Sequence, residues 1–334
     1  MARRKQTKAR ALPPAVMRMY FLVPSAEALG LSTAYISISH SVSRLNRRFY
    51  RQGLNWAVSN VKVIQQPGAA GGSTAYVNTL PHTWTTANAW LKAQKLWLKQ
   101  QNEALLATDS MDTAARFRDF KVSMEDGHTV GVDMDPANMG PGRSPVFPLT
   151  LGPSSSESIL PSAEWEASQV VIPNDGAPGV TTEYNFHMVG IDTGLSKGII
   201  QGYADSRDRP HSPDPDAPVI SASWMQEMFD VGDDSQQVTD NAQFHNNELP
   251  YDQDHYPGGD TNFIELETQG LNWNQSTTGI NTFSTGPFTA PCGLIRIDFT
   301  NQNAISGSNS KNVVIVDLVP GKHRGYLTET MEEF

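Results

Sequence analysis

The chain has a single cysteine, Cys292, so no intrachain disulfide can form and the fold must rest on packing. Flanked by Pro291 and Gly293, that thiol reads as a small buried residue. No apolar run reaches the roughly 18 residues that a membrane helix requires, and the first residues lack the apolar core of a secretory leader. A soluble protein made inside a cell is expected, in a reducing cytosol or nucleus, which makes the sequon at Asn274 a chance match. Catalytic signatures are equally scarce. The stretch GAAGGST (68–74) lacks the GK[ST] ending of a phosphate-binding loop and opens no helix, so it reads as a hairpin loop. There is no GxSxG elbow, no HExxH and no HxH pair. No catalytic residue, metal ligand or cofactor is therefore assigned.

What is present is charge, unevenly spread. The net charge of −10 hides a basic N-terminal part, because residues 1–51 hold ten lysines and arginines against one acid, a net of +9. The remainder holds fifteen basic residues against thirty-four acids, a net of −19. Such asymmetry implies a basic arm with a polyanionic partner, carried on a body that repels nucleic acid over most of its surface.

Residues 1–18 have no apolar periodicity and are broken at Pro13 and Pro14, which predicts an arm without structure of its own. Beyond it, short alternating apolar runs separated by Gly, Pro, Asn and Ser predict about nine strands. They are centred on 35–38, 57–64, 120–124, 170–172, 184–188, 199–203, 263–266, 295–299 and 313–319. That count without a βαβ rhythm indicates an all-β sandwich or jelly roll over 19–334. Two helical insertions interrupt it. Residues 84–106 are rich in Ala, Leu, Lys and Gln, with Trp90, Trp97 and Leu98 at helical spacing facing either the core or a neighbouring subunit. Residues 221–229 form a shorter one. Residues 204–260 carry thirteen acids against Arg207 and Arg209 and read as a long, outward-facing surface loop.

The candidate binding residues are the cations. Arg3, Arg4, Lys5, Lys8, Arg10 and Arg18 could each neutralise one phosphate of a single strand, giving a salt slope of roughly 0.7 × 6, about 4, per arm. A solubilising tail or a nuclear targeting signal would need the same residues. In RLNRRFYRQG (44–53), Arg44, Arg47, Arg48 and Arg51 interleave with Phe49 and Tyr50. Arginine beside stackable aromatics suits unpaired nucleotides, and equally a subunit interface. His245 and His255 near Asp252 and Asp254 suggest a metal site less well than a solvated acidic loop. The carboxylates Asp230, Asp233, Asp234 and Asp240 could attract calcium, but their spacing is not that of an EF-hand.

The strings RLNRRFYRQG (44–53), LPHTW (80–84), RFRDFKV (116–122), EWEASQVVIP (164–173) and GYADSRD (202–208) resemble blocks of capsid proteins from circular Rep-encoding single-stranded DNA viruses of unclassified, environmentally sampled type. The likeness spans about half the chain. It implies a viral jelly-roll subunit without enzymatic activity. About sixty copies would form an icosahedral shell around a circular single-stranded DNA genome gripped by the arm. The virion, and the host nucleus or cytoplasm during assembly, would be its locations. The arm is shorter and poorer in arginine than the circovirus pattern. A lectin-like or attachment sandwich is the alternative, and it leaves the basic arm unexplained. A cupin-type enzyme lacks its HxH ligands.

Overall fold

The computed structural model describes residues 15–24, 31–65, 72–109, 118–129, 134, 136, 166–175, 177–206, 255–259, 266–300 and 311–331. They are mostly β-strands in antiparallel sheets with few helices, as an all-β chain should be. The first sheet aligns β1 (Arg18–Pro24), β12 (Lys311–Leu318) and β3 (Leu54–Gln65). On the edge of β3 away from β12 lie β9 (Asn281–Ser284) and β10 (Phe288–Ala290), while β15 (Thr328–Thr330) continues the β12 side. The second sheet has the order β2 (Leu31–Ser37), β11 (Leu294–Thr300), β4 (Ser73–Thr79), β8 (Glu267–Asn274). Pairing is nested: β1 with β12, β2 with β11, β3 with β9 and β10, and β4 with β8.

The sheets close on one core because alternate residues of both point inward. Phe21, Trp56, Val61, Val63, Ile295, Ile297, Phe299 and Val316 are all fully buried there. Each large side chain of this kind contributes about 1.5–3 kcal/mol by leaving water. Strand β3 keeps its apolar set inside across an interruption. Val58 and Val61 are three apart, which would put them on opposite faces, and a bulge opposite Asp317 and Leu318 restores the phase.

The connection from β4 to β8 carries a second core. Helix α2 (Trp84–Ala107) starts at Thr83, whose side chain accepts from Thr86 N at 3.3 Å. Trp90 and Trp97 face the core at 4% and 8% exposure, packed on Phe120. The small sheet β5 (Gln169–Pro173), β6 (Thr181–His187) and β7 (Ser196–Gly198) completes this core with α4 (Ile199–Asp205). Cys292 is buried in a 3₁₀ turn (Pro291–Gly293), and burial pushes its thiol up.

Three expectations change. Residues 199–203 form the start of α4 rather than a strand: a short apolar run fits either element, and here Ile200 and Ala204, four apart, bury one helical face. Residues 120–124 keep strand-like alternation but only Ser123 bridges a strand, at His187. The neighbouring backbone groups bond to side chains instead, Val122 N to Gln52 Oε1 and Met124 N to His128 Nδ1. Residues 44–46, expected between strands, close the helix α1 (Ile38–Asn46). The expected helix at 221–229 and most of the acidic loop 204–260 lie outside the described residues. Where the chain returns, Tyr256 is fully buried, edge-on to Trp84 at 5.8 Å and stacked with Tyr203 at 6.0 Å.

Candidate nucleic-acid interface

Helix α1 begins at Ser37, whose hydroxyl accepts from His40 N, and stops at Arg47 in the left-handed region (φ 55°). That conformation costs a residue with a side chain about 1 kcal/mol, so its surroundings must hold it. Two buried residues do. Tyr50, 1% exposed, donates from its hydroxyl to Arg324 O at 3.2 Å and packs on Trp56 and Tyr326. Gln52, 2% exposed, clasps Val122 by donating to its carbonyl at 2.9 Å and accepting from its N–H at 2.6 Å. With Tyr50 and Gln52 turned inward, Arg51 between them is turned out, and Arg47 is exposed as well. Arg44 and Arg48 are half-buried. Among the described residues no ion pair joins Arg47, Arg48 or Arg51 to a carboxylate.

The basic N-terminal stretch meets the folded body beside this group. Val16 N donates to Asn46 Oδ1 at 3.0 Å, and Tyr326 Oη donates to Val16 O at 2.7 Å while accepting from Asn46 Nδ2 at 2.7 Å. Arg3, Arg4, Lys5, Lys8 and Arg10 lie outside the described residues. Arg18 lies in β1, where Nε and Nη2 grip the Asp317 carboxylate at 2.6 and 3.0 Å, holding the guanidinium even further above its usual value. Its charge is matched locally. Of the two aromatics expected to stack on bases, Tyr50 is enclosed in the core, whereas Phe49 is half-buried beside a pocket.

That pocket, about 350 Å³, brings together Phe49, Arg51, Trp90, Asp119, His323 and Arg324. Burial pushes the Asp119 carboxyl up to about 6, against the pull of Arg51 and Lys121, and its Oδ2 is buried with no hydrogen-bond partner. Burial, then the charge of Arg324, lowers His323. Sequence reasoning missed Asp119, His323 and Arg324 because they come from segments about 70 and 270 residues from Arg51.

A second polar cluster on the outer face of the second sheet is complete in itself. Arg296 Nη1 donates to Glu125 at 2.6 Å and Nε to Asp298 at 3.0 Å, with Asn78 and Thr33 also on Asp298. Tyr35 Oη donates to Glu125, and its ring stacks on His128 at 4.2 Å. Every charge has its partner, so the cluster fastens the segment around α3 (Asp126–Thr129) to the sheet. Among the described residues no three His, Cys, Asp or Glu are grouped to hold a metal ion, and no helix is long and apolar enough to cross a membrane. His245, Asp252, Asp254 and the carboxylates at 230, 233, 234 and 240 lie outside the described residues.

No protein-family model matches the chain, and no curated protein or solved structure matches it significantly.

Proposed function

We propose that the chain is the coat-protein subunit of a small virus, assembling with about sixty copies of itself into an icosahedral shell around a circular single-stranded DNA genome. The observation that carries this reading is the nested pairing of the two large sheets, β1 with β12 inward to β4 with β8. Nested antiparallel pairing is the winding of a jelly roll, and we read the molecule as one, with the second core as an insertion between β4 and β8. Two twisted sheets over one core make a stiff wedge, and loops at its ends are free to form the distinct contacts that a closed shell needs.

The charge arrangement supports a genome-facing end. The basic arm joins the body at Ala15, beside the helix that ends in Arg44 and Arg47, and Arg48 and Arg51 follow at once. Arg47, Arg48 and Arg51, which form no ion pair with a carboxylate among the described residues, can release counterions from phosphates, and Arg18, paired with Asp317, contributes least. No step of catalysis enters. Virion and, during assembly, host nucleus or cytoplasm would be its locations.

The test is to express the full chain, treat it with nuclease, and examine it by electron microscopy and by absorbance at 260 and 280 nm. Closed particles with protected nucleic acid are expected. Monomers alone, across a range of salt and calcium concentrations, would overturn the reading. Deleting residues 2–10 should leave particles that are largely empty; loss of folding would give the arm a structural role instead.

A further inference from the structure

We infer that β8 joins a second copy of this chain edge to edge, antiparallel about a two-fold axis, with Leu271 of each copy against the partner's Trp273. The inference rests on the coat-protein reading above and names one contact between its subunits. β8 ends the second sheet: one side pairs with β4, and among the described residues nothing bonds to the backbone of the other side. An open strand edge is a template for another strand. In the three larger sheets the other edges are blunted. β1 has Arg18 at one end and Pro24 at the other, and Tyr35 O of β2 accepts from Met134 N at 2.8 Å. The Gln100 side chain brackets Val171 of β5, donating to its carbonyl and accepting from its N–H at 3.3 Å. β7, β9, β10 and β15 are three or four residues long. β8 has eight residues, no lysine, arginine or proline, and one charged residue, Glu267, at its start.

The outward face of β8 supplies the apolar part of the contact. A bulge at Gln269 leaves Gly270–Asn274 as the regular run, and within it Leu271 and Trp273 stand on one face, 60% and 62% exposed. Tyr76 of β4, opposite Leu271, extends that face. Trp273 is held in place. Gly72 has φ 94°, and a Cβ there would sit 2.5 Å from the Trp273 Nε1 atom, so the indole lies on the backbone before β4 and gives up little freedom on binding. Identical strands that pair antiparallel are related by a two-fold axis, which makes the contact closed and self-complementary. A shell of identical subunits supplies that partner. With the axis at Asn272 the two regular runs match end to end, and Leu271 faces the partner's Trp273 twice over, with Cβ atoms about 4.5–5.5 Å apart. Moving the axis to Leu271 sets Trp273 against the bulge at Gln269, and moving it to Trp273 sets Leu271 beyond the end of the strand.

The test follows self-association of the full-length protein by sedimentation across a concentration series, with particles scored separately by electron microscopy. Leu271→Glu together with Trp273→Glu sets like charges opposite one another. It should weaken association at least about thirtyfold, the loss expected when a tryptophan anchor is removed from an interface. Both side chains are largely exposed, so the melting temperature should hold. Leu195→Glu, at a leucine 66% exposed elsewhere on the chain, should leave association unchanged. Equal association of the double variant and the unaltered chain would overturn the proposal, as would an equal loss in Leu195→Glu. In the unaltered protein the amides of residues 270–274 should exchange more slowly when associated than when dissociated; no difference there would also overturn it, without any variant having to fold. Particles that form in the double variant as they do in the unaltered chain defeat this contact alone. Two-copy association through β8 with no particles defeats the coat-protein reading alone, and monomers at every concentration defeat both.

Discussion

Replacing Arg296 with methionine tests whether the outer-face cluster holds the segment around α3 to the second sheet. The change removes the cation between two carboxylates, Glu125 at 2.6 Å and Asp298 at 3.0 Å, whose side chains are each 9% exposed. Removing one partner of a buried pair leaves an uncompensated charge, at a cost of about 3–5 kcal/mol. Asn78 and Thr33 still reach Asp298, and Tyr35 still reaches Glu125, which places the expected loss near the lower figure. With a urea slope on the order of 3 kcal/mol per molar, the unfolding midpoint of the chain should fall by about 1 M. The triple variant Arg296→Met, Glu125→Gln, Asp298→Asn removes the stranded charges as well and should recover most of that loss. The reasoning fails if the single variant costs under about 1 kcal/mol, or if the triple variant is no more stable than the single one.

Two further outcomes follow from the same structure. Changing Arg47, Arg48 and Arg51 together to alanine should reduce the salt slope of single-strand binding by roughly 0.7 × 3, about 2. The melting temperature should stay nearly unchanged, since none of the three forms an ion pair among the described residues; a large thermal loss would make the group a structural element. His187 is fully buried and its imidazole is held below the ordinary value, by burial against the opposing pull of Asp126 and Asp192. As pH falls below about 6.5 the unfolded chain takes up a proton that the folded one does not, so folding stability should decline. The slope reaches at most about 1.4 kcal/mol per pH unit for this one group. Denaturant titrations at pH 7.5 and 5.5 should show a smaller decline in His187→Gln than in the unaltered chain, and an equal decline would refute the assignment.

Much of this protein was legible along the chain. Alternation identified β3, β5, β6, β11 and β12, because a sheet with one buried face imposes a period of two on its residues. Helix α2 was readable from composition and the spacing of Trp90 and Trp97, and the basic stretch from charge counting alone. The edge strands were not. Strands such as β9, β10 and β15 are three or four residues long and owe their form to the partner, β3, that completes their hydrogen bonds. The run at 199–203 failed for a related reason, since two adjacent isoleucines fit either period and only the packing of α4 against α2 decides.

The candidate site divides the same way. Local sequence determined that four arginines would stand within eight residues, interleaved with Phe49 and Tyr50, and raised the expectation of unpaired nucleotides or a neighbouring subunit as their partner. Tertiary structure decided which of those side chains can act. It enclosed Tyr50 in the core, turned Arg51 outward between two buried neighbours, and set Asp119, His323 and Arg324 beside it from distant parts of the chain. Charge is a property of composition and survives in any conformation, whereas a pocket exists only where separate segments meet, and their meeting is governed by the nested pairing of the whole sandwich.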